Sequence, residues 1–297
     1  MHIPYKPLAE RTPDTQYSDR LRSILERGTM IKNTSQGTGA LTCFGTLSPM
    51  VFDIANGIPL ITERKIGFWR KPVGEIIGFV NGARTIDEIE AFGCTGDAFW
   101  APYRGKGTAL GLAPNDLGPG SYGAAFHDFP MPDGSGFNQF ESLIEQIRTY
   151  PHIRSHRITP WIPYYTPRGE RRKVIVAPCH GYMFFRVING KLHLRMDHNS
   201  CDMPLGVPSN MIQYAALLLM VCQITGYEPG NYIHSLVDAH IYENQVEKMR
   251  ELVLREPRPF PILRLDPTVK NLFDFRVEHF TLEEYDPHPA MSIPYSP

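Results

Sequence analysis

The stretch "KVIVAPCHGYMFFRVINGKLHLRMDH", residues 173–198, decides how the chain is read. Two strand-like runs, "KVIVAPCHGYMFFRVI" and "KLHLRMDH", flank Asn189-Gly190. Asn-Gly suits a two-residue hairpin turn because both turn residues need positive φ. The stretch therefore predicts an antiparallel hairpin. Its first strand carries Cys179 towards its far end, and the polar, turn-rich segment "HNSCDMPLGVPSN" follows the second. Hairpin geometry brings Cys179 towards Ser200, Asp202 and Asn210. An apolar strand running into a polar loop is how a rigid scaffold presents site residues. Free cysteine is also among the most buried residue types, so core packing is the competing reading of Cys179.

Outward from the hairpin, "SNMIQYAALLLMVCQITG" predicts a helix with Ser209 as N-cap and Gly226 as its stop, apolar all round and so buried. In "DAHIYEN", His240 and Tyr242 stand two apart, on one face of an extended segment. Residues 17–28 predict an opening helix with Leu21, Ile24 and Leu25 on one face, Ser18 as N-cap and Gly28 as the end. Residues 39–62 predict short strands joined by turns, and 71–84 a helix with Val73, Ile76, Ile77 and Val80 inward. Residues 103–137 are rich in Gly, Pro, Asp and Asn and read as loop; 138–149 read as an amphipathic helix. With no linker, repeat or low-complexity segment, residues 1–297 predict a single α+β domain.

Bulk properties exclude several classes. Hydrophobic residues make up 42% and charged residues 21%, an ordinary globular balance. The net charge of -1 offers no basic field for nucleic acid. The longest apolar run, near residues 214–222, is far short of a membrane span, and the N-terminus shows no signal-peptide pattern. The five cysteines form no CxxC pair, so no metal site is expected, and reduced thiols in a cytoplasm are the expected state.

The chain resembles the thymidylate synthase family, in order over nearly its whole length. "GTGALTCFG" resembles the family's glycine-rich strand, and "FDIANGIPLITERK" and "EIIGFVNG" the next strand and helix. "DLGPGSYG" resembles its GPxYG loop, with one extra residue. "APCH" resembles the nucleophile motif, "HNSCDMPLGVPSN" the nucleotide loop and "DAHIYENQ" the ribose-binding segment. "REPRPFP" and "YDPHPAMSI" resemble the late loop and C-terminal segment.

The resemblance implies a mixed sheet with packed helices, and a homodimer formed through that sheet. It implies one-carbon transfer from 5,10-methylenetetrahydrofolate to C5 of a pyrimidine nucleotide or nucleoside, as methylation or hydroxymethylation. Cys179 then adds to C6, which requires thiolate character. Glu75 matches the family's glutamate, within an otherwise apolar helix that raises a carboxyl's pKa. Tyr122 matches a tyrosine of the catalytic hydrogen-bond network. Asp202 matches the pterin contact, with Asp97 and Trp100 near the folate. Asn210 matches the residue that pairs with the base edge, and an amide there leans towards uracil. Ser200, Arg154 and His198 fall in the phosphate region, and His240 and Tyr242 match the pair that bonds the sugar.

Departures accompany these matches. Ser35, Ser155 and Asn199 stand where the family carries phosphate-binding arginines, leaving Arg154. Each lost charge-assisted contact weakens dianion binding by about 1.5–3 kcal/mol. Lys32, His156, Arg157 and His198 are the nearest basic substitutes in sequence. Asp97 replaces the tryptophan that flanks the folate, and the chain extends to "IPYSP". An acid there and an altered lid favour admission of water, and so a hydroxymethyl product. Ordinary thymidylate synthesis on dUMP and a catalytically silent nucleotide-binding relative are the alternatives. A cysteine hydrolase using His180 as base is disfavoured, since neighbouring strand residues point to opposite faces.

Overall fold

The computed structural model describes residues 3–34, 36–96 and 99–296. In chain order the elements are α1 (Gln16–Arg27), β1 (Thr29–Ile31), β2 (Ala40–Phe44), β3 (Met50–Asp53), α2 (Arg70–Val80), α3 (Ile86–Ala91), α4 (Tyr122–His127), β4 (Phe129–Pro130), β5 (Gly136–Phe137), α5 (Gln139–Thr149), β6 (Arg157–Ile158), β7 (Tyr182–Ile188), β8 (Lys191–Asp202), α6 (Gly206–Thr225), β9 (Glu228–Tyr242), α7 (Val246–Leu252), β10 (Ile262–Leu265) and β11 (Phe280–Glu283). The main sheet runs β1-β2-β9-β8-β7-β6, with β3 also paired to β9. It is mixed: β8 and β9 are parallel, and the other pairs are antiparallel. Small two-stranded sheets, β4-β5 and β10-β11, lie outside it. This is the α+β architecture expected from the sequence.

The hairpin forms as predicted. Asn189 (φ 50°) and Gly190 (φ 76°) both adopt positive φ, and Ile188 pairs with Lys191. Its first strand is shorter than predicted, because residues 173–181 do not pair as strand. Pro178 lacks an N–H, and Gly181 turns the chain at φ 98°. A Cβ at Gly181 would stand 2.9 Å from Tyr214 Oη and 3.0 Å from Phe126 Cζ, so the chain needs glycine there.

Helix α6 links the parallel strands β8 and β9. Its residues from Val207 to Cys222 are buried, and it stops at Gly226 in the left-handed conformation (φ 82°). Fully burying each Leu or Val contributes about 1.5–3 kcal/mol. Strand β8 and helix α6 together shorten the predicted polar loop to residues 203–205. Ser209 is therefore not the cap: it lies inside the first turn, its Oγ on Leu205 O at 3.2 Å. Ser18 is likewise inside α1, which starts at Gln16, and its hydroxyl goes to the buried Glu63 carboxylate.

Residues 103–137 are not all loop. They contain α4, which buries Tyr122 and Phe126. α4 buries five of its six residues, leaving only His127 part-exposed, and six residues give too little periodicity to read. Helix α5 does form as expected, with Asn138 Oδ1 accepting from Phe140 N and Glu141 N.

One continuous core joins the sheet to α1, α2 and α6. On β7, Met183, Phe185 and Val187 are buried, while Tyr182, Phe184 and Arg186 on the opposite face are half-buried. That face also leaves Val51 exposed.

Candidate active site

A shared carbonyl sets the site. Asn199 N and Ser200 N, near the end of β8, both reach Cys179 O in the segment before β7, at 2.6 and 3.3 Å. Buried positions on β8 accordingly shift from Leu192, Leu194, Met196 and His198 to Cys201. Ser200 and Asp202 then emerge into a cavity instead of the core. β9 runs alongside in register, Ser200 beside Asp238 and Asp202 beside His240. The predicted same-face pair His240 and Tyr242 reaches the same cavity, their rings 5.0 Å apart.

The cavity measures about 220 Å³. Its wall holds Cys179, Glu75, Tyr122, Asp202, Asn210, Ser200, His198, His240, Tyr242 and Trp100. Of the site residues that the resemblance implied, those ten are brought together, and His180 lines the same cavity. Arg154 is exposed and outside this wall, as are Lys32 and Arg157. The Arg157 guanidinium lies over the Phe184 ring at 4.6 Å. Asp97 and Ser35 lie outside the described residues.

Cys179 is half-buried, and burial pushes its thiol up from the usual range, against hydrogen bonds from Tyr122 and Ser200 that draw it down. Its Sγ faces Ala177 O at 3.5 Å. Burial thus opposes the thiolate character expected of Cys179, and the two hydrogen bonds favour it. Tyr122 Oη accepts the Cys179 backbone N–H at 2.6 Å. Cys94, Cys201 and Cys222 are buried and their thiols raised by burial, so they stay protonated packing residues. His180 is committed elsewhere: its Nδ1 meets Tyr214 Oη at 2.7 Å, and its ring stacks on Tyr122.

Glu75 sits on α2 at the cavity wall, buried. Burial pushes its carboxyl up to about 7, moderated by two donors: Trp100 Nε1 to Oε1 at 2.6 Å, and Gln213 Nε2 to Oε2 at 2.8 Å. Such a carboxyl exchanges protons near neutrality. Burial raises Asp202 to about 6, with Leu205 N and the Arg64 charge opposing. His198 is held at about 3, by burial first and then by His240, so it is neutral. Its Nδ1 meets His234 Nε2 at 3.1 Å, and His234 Nδ1 meets Tyr232 Oη at 3.0 Å.

Four wall or support residues escaped the sequence reading. Gln213 and Tyr214 look like part of an apolar helix. Tyr103 and Tyr295 lie in an irregular stretch and at the C-terminus, and hydrogen-bond each other over the cavity. No periodic signal marks such residues.

A second cavity of about 220 Å³ adjoins the first and shares Gln36, Ser200, His240 and Tyr242 with it. Asp238 lines it, bonded by Thr42 Oγ1. Among the described residues lining either cavity, none is lysine or arginine.

A thiol, a carboxyl raised to about 7 and a side-chain amide converge on one cavity, beside a mixed sheet whose long helix joins parallel strands. That convergence of a nucleophile type, a proton-exchanging group and polar side chains in one cavity defines an enzyme-like site. Residues 15–296 match the sequence profile of the family described as thymidylate synthase. The chain therefore belongs to the thymidylate synthase family, whose chemistry is folate-dependent one-carbon transfer to C5 of a pyrimidine.

Proposed function

We propose that this protein transfers a one-carbon unit from 5,10-methylenetetrahydrofolate to C5 of a uracil-type nucleoside or nucleotide, through a covalent Cys179 adduct. The observation that carries the reading is the meeting of Cys179, Glu75, Tyr122, Asn210 and Asp202 on one cavity.

C5 of a pyrimidine is a weak nucleophile. As Cys179 Sγ gives its proton to solvent water and bonds to C6, the electron pair of the C5–C6 double bond moves to C5 and O4, and C5 gains enolate character; expulsion of Sγ from C6 later restores the double bond and frees the product. Asn210 supplies an acceptor for N3–H and a donor for O4. Tyr122 holds the Cys179 backbone, and Ser200 and Tyr122 bond the sulfur as it gains charge. Glu75, poised near neutrality, takes the proton that leaves C5 and hands it on. His240 and Tyr242 face the sugar.

The wall fits a reduced folate. Trp100 and Tyr103 offer aromatic faces to a flat pterin, and Asp202 offers a carboxylate to its N–H groups. That cofactor, when bound, supplies the methylene carbon and, for methylation, the hydride. Tyr103 and Tyr295 place hydroxyls where an apolar lid would exclude water. That polar roof favours water as the second reactant, and thus hydroxymethylation.

Incubation with methylenetetrahydrofolate and a panel of pyrimidine nucleosides and monophosphates, read by mass spectrometry, tests this. A gain of one hydroxymethyl group is expected. A gain of one methyl group supports the reading of the site and removes the argument from the roof. No turnover on any pyrimidine favours a silent binding relative.

A further inference from the structure

Gln213 stands on α6 one turn beyond Asn210, fully buried and behind the cavity wall. Its side chain joins two wall residues. Asn210 Nδ2 donates to Gln213 Oε1 at 2.7 Å, and Gln213 Nε2 donates to Glu75 Oε2 at 2.8 Å. Trp100 Nε1 occupies the other Glu75 oxygen.

The direction of this chain follows from the carboxylate. An ionised carboxyl only accepts, so Gln213 must turn its amide nitrogen to Glu75. Its carbonyl oxygen then faces Asn210, and Asn210 must turn its nitrogen to meet it. What remains for the cavity is Asn210 Oδ1 and the second N–H. Uracil presents a donor at N3 and an acceptor at O4, which fit that pair. Cytosine presents an acceptor at N3 and a donor at N4, which fit the amide turned the other way. An unrestrained amide can take either orientation, so Asn210 alone accepts both bases.

We infer that Gln213 is a positioning residue that locks the Asn210 amide in its uracil-reading orientation, with the Glu75 carboxylate as anchor. This rests on the reading of the cavity as a pyrimidine site. Gln213 touches no substrate; it acts through Asn210 and Glu75. The same bond supports Glu75 in its ionised form, so one side chain serves both base choice and proton transfer.

Two variants separate the inference from a merely structural role. Gln213→Leu removes both bonds at similar volume, with Gln213→Met in reserve should that variant not fold. Gln213→Glu keeps an oxygen towards Asn210 and removes the donor to Glu75. Affinities for uridine, cytidine and their 5′-monophosphates are measured by calorimetry on the full-length protein, alongside turnover. The uracil-to-cytosine affinity ratio is expected to fall about tenfold or more in Gln213→Leu, the scale of one base-edge contact. It is expected to hold within about twofold in Gln213→Glu while kcat falls. A folded Gln213→Leu or Gln213→Met protein with the wild-type ratio overturns the inference, as does equal loss of preference in both classes of variant. Affinity is read without turnover. A wild-type protein that prefers uracil but transfers nothing therefore sinks the proposed reaction and still measures Gln213. A wild-type protein with no preference for uracil overturns the role of Gln213 whatever its turnover.

Discussion

The hydroxyl of Tyr122 accepts the backbone N–H of Cys179 at 2.6 Å, tying α4 to the residue that carries the thiol. The Tyr122 ring is held between Phe79, at a centroid distance of 4.8 Å, and His180, at 4.6 Å. Packing on both faces fixes the hydroxyl, and the hydroxyl fixes the chain just before the Gly181 turn. Tyr122→Phe keeps the stack and orphans one buried N–H. A loss of about 1–3 kcal/mol in stability is expected, with a larger fall in kcat than rise in KM. Urea unfolding and steady-state kinetics measure the two; unchanged kcat would separate Tyr122 from the chemistry.

Cys179→Ser is expected to fold normally and to lose turnover, since a hydroxyl is a far weaker nucleophile than a thiol at neutral pH. Cys94→Ala and Cys222→Ala lie in the core and are expected to lower stability while the folded fraction keeps its rate per site. Turnover in Cys179→Ser comparable to wild type would remove the sulfur from the mechanism.

Glu75 makes stability depend on pH in a direction opposite to most paired carboxylates. Its folded pKa is raised, to about 7 from 4.5. Between those values the folded state holds a proton that the unfolded state has released, so stability falls as pH rises through the interval. Glu75→Gln removes this dependence. The stability of the variant relative to wild type should therefore climb from about pH 4.5 to about pH 7, by on the order of 3 kcal/mol. Activity should run the other way, with the acid limb of kcat/KM in the wild type near pH 7. A stability difference flat across that range would show that Glu75 is not desolvated.

How much of this was legible depends on which physical signal each residue carries. The Asn189-Gly190 hairpin was readable because positive φ at two successive residues restricts the residue types. α6 was readable from its continuous apolar run, and Val73, Ile76, Ile77 and Val80 from their spacing; all four are buried. Cys179, Asn210 and Asp202 were readable because the hairpin and its following loop converge. α4 was not, being six residues long within a Gly- and Pro-rich stretch. The break in alternation at Asn199 and Ser200 was not, because it is defined by which amides share the Cys179 carbonyl. Nor was Gln213, since one glutamine in an apolar helix carries no sign of the carboxylate it meets from α2.

The chain is expected to form a homodimer through its sheet. The face opposite α6 leaves Tyr182, Phe184 and Ile233 half-buried and Val51 45% exposed, and Phe44 on β2 is 72% exposed. Arg186, Arg195 and Asp197 stand among them, which suits a mixed interface. Sedimentation at micromolar concentration should give twice the 33.7 kDa chain mass. Arg195→Glu combined with Phe184→Asp should shift it to the monomer, and a wild-type monomer would end this reading.

The last expectation concerns the substrate's 5′ end. The resemblance puts Ser155 and Asn199 at arginine positions of the family, and neither side chain carries a charge. The basic residues that sequence offered as replacements do not fill the gap within one chain. His198 is neutral at physiological pH, its ring tied to His234. Arg157 lies over Phe184, and Lys32 is exposed and does not line either cavity, although Ile31 and Thr34 beside it line the second. His156 is buried. The adjoining cavity instead presents the Asp238 carboxylate with Thr42, Ser200 and His240. A dianion placed there meets a like charge and neutral donors, whereas a free 5′-hydroxyl finds both acceptors and donors. Nucleosides are therefore expected to bind within about tenfold of their monophosphates, because no charge-assisted pair adds the usual 1.5–3 kcal/mol, about. Salt should have little effect on that affinity. Should the partner subunit of the expected dimer deliver Arg154 to the site, the preference for monophosphate will be strong, salt-sensitive and lost in Arg154→Ala. Calorimetry on matched nucleoside and monophosphate pairs, at low and high salt and with Arg154→Ala, separates the two. A strong, salt-resistant preference for the monophosphate that survives Arg154→Ala would contradict both.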